Sequence, residues 1–105
     1  MELDVFWTAF AKNQLAEIYA YYKEKANSQV AKKIINGIIS ESKLLIFQPQ
    51  LGQIEELLTA REENFRYLIC SNYKIIYWLN DIKSRIEIVD VFDTRQNPVK
   101  IKRSK

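Results

Sequence analysis

A chain of 105 residues with a formal net charge of +3 has the size of one domain. A single unit over residues 1–105 is therefore expected, able to bury a core without metal or disulfide help. Its 48% hydrophobic and 28% charged residues exclude an intrinsically disordered chain, and the lack of histidine argues against a zinc site or a Ser-His-Asp hydrolase.

The one cysteine, Cys70, lies in an apolar run and has no partner for a disulfide, so it reads as a small buried hydrophobe in a reducing compartment. The opening MELDVFWTAF has no basic leader region, and no stretch approaches the roughly 18 apolar residues of a membrane span. A cytoplasmic protein without membrane contact, metal or cofactor is expected.

In chain order, Glu2 to Phe6 alternates polar and apolar residues, the pattern of a short half-buried strand. Thr8 then caps a helix on which Trp7, Phe10, Ala11, Leu15, Ile18, Tyr19 and Tyr22 recur at three-and-four spacing and form one apolar face. Asn27 and Ser28 break that pattern and cap a second helix, in which Val30, Ile34, Ile35, Ile38, Leu45 and Ile46 carry the spacing up to Phe47. The two helices form an antiparallel hairpin, ended by Pro49 and Gly52.

From Ile54 onward the period becomes extended. The segment from Ile54 to Leu58 reads as a strand, although EELLTAREEN (55–64) reads equally as a helical turn, while FRYLIC (65–70), YKIIYWL (73–79) and RIEIVDVF (85–92) are rich in β-branched and aromatic residues. Ser71-Asn72 and NDIKS (80–84) join these three as a meander. Both alternating sets of YKIIYWL are largely apolar, so it is expected at the centre of the sheet. In RIEIVDVF the set Ile86, Ile88 and Phe92 opposes Glu87, Val89 and Val91. The fold class is α+β, an N-terminal strand and a helical hairpin packed on an antiparallel sheet, with the other sheet face partly open.

On that open face Arg66 and Lys74 occupy neighbouring strands, and Arg95 follows the last one. Three converging cations would make an anion site; the alternative is that Arg66 and Lys74 pair with Glu55, Glu56, Glu62 or Glu63. Tyr67, Tyr73 and Tyr77 either stack on bases or pack in the core. With only Gly37 and Gly52 in the chain no glycine-rich phosphate loop is possible. Lys100, Lys102, Arg103 and Lys105 make a basic end, either a solvated tail or a contact for an acidic partner.

The opening strand into WTAFAKNQLAEIYAYYKEK, the helix ending at QPQLGQ, then FRYL, NYKIIYWL and IVDVFDTRQNP together resemble the toxins of the RelE/ParE superfamily of bacterial type II toxin-antitoxin modules. The resemblance covers nearly the whole chain, and its strength lies in the ordered combination of FRYL, YKIIY and VFDTRQNP. It implies a cognate antitoxin that wraps the toxin and blocks its working surface, with Lys100, Lys102 and Arg103 as candidate antitoxin contacts.

For the ribosome-dependent RNases of the superfamily, which cut ribosome-bound mRNA, the resemblance implies that Arg95 contacts the scissile phosphate and that Lys74 and Arg66 complete the catalytic set. This chain departs from that pattern. Arg66 stands where a lysine base is usual, and neither tyrosine nor histidine follows Arg95. Arginine makes a poor base, which leaves Lys74 or Tyr73. The long helices resemble the ParE-like branch, whose studied examples inhibit DNA gyrase without obvious active-site chemistry. On that reading Arg66, Tyr73, Lys74, Tyr77 and Arg95 are target contacts. A chain kept only for its antitoxin is a third reading.

Overall fold

A computed structural model of the chain describes residues 3–103. Strand β1 (Asp4–Trp7) leads into helices α1 (Ala9–Lys25) and α2 (Ser28–Lys43), and a 3-10 turn over Leu44–Ile46 follows. Strand β2 (Gln53–Ile54) and a second 3-10 turn (Glu56–Leu58) precede β3 (Arg66–Cys70), β4 (Tyr73–Asn80) and β5 (Arg85–Asp93), and Pro98–Arg103 forms a last 3-10 segment. Glu2 of the expected first strand and Lys105 of the basic end lie outside the described residues. Among the described residues no helix is long and apolar enough to cross a membrane.

The two helices start where the capping residues put them. Thr8 Oγ1 accepts from Ala11 N at 3.1 Å, and Asn27 Oδ1 accepts from Val30 N at 2.9 Å, each satisfying an amide that the first turn leaves unpaired. Trp7 belongs to β1 and not to the helix, yet it still packs against the core between helices and sheet. The segment after Pro49 divides into a two-residue strand, Gln53–Ile54, and a 3-10 turn, Glu56–Leu58, so the strand is confined to the start of the expected stretch and the helical turn to the start of EELLTAREEN.

The sheet order is β1-β5-β4-β3-β2, with β4 central as its two apolar sets require. β1 runs parallel to β5, and the other pairings are antiparallel. Ile76 pairs with Asp90 and Tyr77 with Ile88, so Val89 is an extra residue on β5. Such a bulge reverses the alternation beyond it. Val91 therefore joins Ile86 and Ile88 against Ala11, Ile18 and Ile38 of the helices, whereas Phe92 and Val89 lie on the opposite face. The expected grouping of Phe92 with Ile86 and Ile88 is corrected by this one inserted residue.

The second face is not open. Leu58 from the 3-10 turn and Ile101 from the C-terminal segment close over Phe65, Ile76 and Phe92, each at most 3% exposed. Beneath this cover lies Asp90, at 0% exposure. Arg103 meets it with two hydrogen bonds, Nη2 to Oδ1 at 3.1 Å and Nε to Oδ2 at 3.2 Å, and Nη2 also donates to Gln14 Oε1 of α1 at 3.1 Å. The expectation of a basic tail with Arg103 free for a partner is thus overturned for Arg103, which clamps the segment to the sheet.

Removing one member of a buried pair leaves the other charge without compensation. Arg103→Met should therefore lower the unfolding free energy by about 2–4 kcal/mol, discounted for the partial exposure of the guanidinium, as read from urea denaturation.

Candidate functional site

Arg95 sits where β5 turns away from the sheet. Thr94 N and Thr94 Oγ1 both donate to Asn72 O, each at 2.8 Å, which ties the chain after β5 to the β3–β4 turn. Asp93 Oδ1 accepts from Arg95 N and Nε, both at 2.9 Å, and Oδ2 accepts from Nη2 at 2.8 Å. The guanidinium is held by a fork while remaining about half exposed. These hydrogen bonds hold the Asp93 carboxyl below the usual carboxylate range.

Tyr73 stands across the ladder from Asp93. Burial, and then a hydrogen bond with Tyr22, push its hydroxyl well above the ordinary tyrosine value. It stays protonated, which removes it as a general base. Tyr22 is itself braced edge-on by Tyr21, with ring centroids 5.0 Å apart. Between α1 and this corner opens a cleft of about 310 Å³, whose walls include Gln14, Glu17, Tyr21, Tyr73, Asp93 and Arg95. Two carboxylates face one guanidinium there, a balance that does not favour a phosphate.

Lys74 lies on the other face of the sheet. Its Nζ reaches Glu55 Oε1 at 2.9 Å and sits 4.2 Å from the centre of the Tyr67 ring. Glu55 is 3% exposed, and its Oε2 accepts from Leu57 N at 3.2 Å, capping the 3-10 turn. The pairing alternative for Lys74 is the one observed, and Tyr67 carries a cation of the chain itself.

Arg66 faces the helices, on the rung of Tyr77. Its Nη1 donates to Gly52 O at 2.8 Å, while the Tyr77 hydroxyl accepts from Gly52 N and donates to Pro49 O, both at 2.9 Å. A Cβ on Gly52 would stand 2.6 Å from Tyr67 O, so the close approach requires glycine. Arg66 and Tyr77 hold the turn that ends the helical layer, and Tyr77 is 0% exposed. Convergence of Arg66, Lys74 and Arg95 is therefore corrected: the alternation of strand residues sends the first two to opposite faces, and each of the three has its own partner.

Residues 5–98 match the family model of the ParE toxin of type II toxin-antitoxin system, parDE. The chain belongs to the ParE toxin family. It is thus the toxin component of a type II module, the kind that is paired with a cognate antitoxin. No curated protein matches the sequence at a significant level. A chain from the chromosomal ParDE TA system of P. aeruginosa superposes with a TM-score of 0.71 at 18% identity, covering 87% of this toxin and 95% of that chain. At that identity the likeness is one of fold, and it agrees with the α+β architecture described above.

At the C-terminal end of this ParE toxin, Lys100 and Lys102 are exposed, and Lys102 O accepts from Arg61 Nη2 at 2.6 Å. Two features of the site escaped the sequence reading: Asp93 as the holder of Arg95 and Tyr22 above Tyr73. The two-residue spacing of Asp93 and Arg95 in FDTR was the available signal for the first.

If Tyr77 serves the fold, Tyr77→Phe leaves Gly52 N and Pro49 O without a partner and should lower stability by about 1–3 kcal/mol in chemical denaturation. A stability within experimental error of the parent would overturn this structural role for the Tyr77 hydroxyl.

Proposed function

We propose that this ParE toxin inhibits DNA gyrase by binding, without catalysing a reaction, and that the Arg95 corner is part of the contact surface. The observation that carries the reading is the separation of the cations. RNA cleavage by 2′-hydroxyl attack needs a base, a charge stabiliser and a proton donor around one phosphate. Here Lys74 and Arg66 occupy opposite faces, and the Tyr73 hydroxyl, which lines the cleft with Arg95, is held protonated. The ParE-like resemblance supplies the target, and with that target the proposed location is the cytoplasm. Tyr21 and Arg95, around the cleft on α1, are the proposed target contacts, with the buried Tyr73 as the floor beneath them.

For the antitoxin, the proposal narrows to an acidic segment lying against Lys100 and Lys102, since Arg103 is committed to Asp90. Charge reversal at both lysines should weaken antitoxin binding and flatten its dependence on salt, measured by calorimetry at two ionic strengths. Unchanged affinity would assign both lysines to solvent.

The target itself is tested by inducing the toxin without antitoxin and following labelled thymidine and labelled methionine. An early fall in thymidine is expected, together with inhibition of supercoiling by purified gyrase that drops by about tenfold in Arg95→Ala, the loss of one good contact. An early fall in methionine, or supercoiling that the toxin leaves unaltered, would overturn the gyrase reading.

A further inference from the structure

The sheet face turned away from the helices, with the start of α1 beside it, is rich in aromatic rings, and the chain sets its own cations over them. The Arg85 guanidinium is 3.8 Å from the Phe6 ring centre, Lys74 Nζ 4.2 Å from Tyr67, and Arg61 6.0 Å from Phe65. Arg103 serves two rings, at 5.1 Å from Phe92 and 5.4 Å from Phe10. The electron-rich face of a ring attracts a cation within about 6 Å, and indole attracts it best.

Trp78 stands on this face opposite Glu87 and is half-buried. Together with Glu63 it lines two clefts, which therefore adjoin. One, of about 210 Å³, is walled by Phe10, Phe65, Val89 and Glu87. The other, of about 300 Å³, adds Ile54, Glu62 and Asp81 together with Arg66, whose Nη1 is turned to Gly52 O. Burial pushes the Glu87 carboxyl up, but hydrogen bonds from Asn80 and Arg85 together with the charges of Arg85 and Lys83 keep it below the usual range. Around Trp78 the groove is thus acidic and apolar at once, although the whole chain carries a net charge of +3.

We propose that this groove docks an arginine-bearing extended segment of a protein partner, with one guanidinium over the Trp78 indole beside Glu63 and its aliphatic neighbours against Phe10, Phe65 and Ile54. Guanidinium suits the seat because it is planar, stacks on an aromatic face and engages carboxylates with paired N–H groups. Carboxylates repel a phosphate backbone, so nucleic acid is not the occupant. The cleft walled by Phe10 and Phe65 lies on the sheet face opposite the Tyr73 cleft, while the other opens at the sheet margin, where Arg66 and Tyr77 of the helix side also line it; the inference does not rest on the gyrase reading.

The test uses the full-length chain and a defined probe, the peptide Ac-Leu-Arg-Leu-Arg-Leu-amide, against the same peptide with citrulline for arginine. The indole N–H resonance of Trp78 should shift saturably with a Kd at or below about 1 mM, while that of Trp7 stays in place. Citrulline, which keeps the shape and loses the charge, should weaken binding by about tenfold, and Glu63→Gln should do the same with the circular dichroism unchanged. Equal binding of the citrulline peptide, an unmoved Trp78 resonance, or full affinity in Glu63→Gln would overturn the proposal. Neither gyrase nor Arg95 enters this assay, so its failure would leave the gyrase reading untouched.

Discussion

A carboxylate with no exposed surface cannot be left alone in an apolar layer, where an ionised group without a partner is among the most unfavourable arrangements a fold can hold. Asp90 imposes that condition on this molecule, and Arg103 meets it with two hydrogen bonds. The rest of the second layer follows. To deliver the guanidinium the chain beyond β5 must fold back across the sheet, and in doing so it brings Ile101 onto Phe92 and Ile76. The sheet is thereby enclosed on both faces, by the helical hairpin on one side and by the two 3-10 segments on the other.

The same economy of charge governs the surface. Each cation that suggested a catalytic cluster is occupied inside the chain: Arg95 by Asp93, Lys74 by Glu55, Arg66 by the carbonyl of Gly52. Two of these pairings organise segments of little regular structure, the Pro49–Gly52 turn and the Glu56–Leu58 turn. The positions that match the RNases of the superfamily are therefore filled by side chains that hold loops in place. In this chain those positions build the scaffold.

The parts of this arrangement that were legible in the sequence are those set by local rules. Thr8 and Asn27 marked the two helix starts because a side-chain oxygen next to free amides acts within one turn. The apolar richness of both sets in YKIIYWL put β4 at the centre. What stayed hidden depends on contacts distant in sequence or on a single slip of register. Nothing in RIEIVDVF marks Val89 as the extra residue, since a bulge is decided by the pairing partner and not by the strand alone. Nothing in the sequence marked Asp90 as buried, so its need for a cation, and hence the return of the C-terminal segment, was invisible. The family, by contrast, was legible because the order of FRYL, YKIIY and VFDTRQNP survives whatever role each residue plays.

The fork between Asp93 and Arg95 also bears on timing. A free arginine side chain carries about 2 kcal/mol of rotamer entropy, and a surface contact built on one normally surrenders it on binding. Here the carboxylate, the Asn72 carbonyl acting through Thr94, and the ring of Tyr73 fix the corner when the chain folds. A partner that meets the exposed edge of the guanidinium finds it already ordered, so encounter need not wait for the side chain to search its conformations.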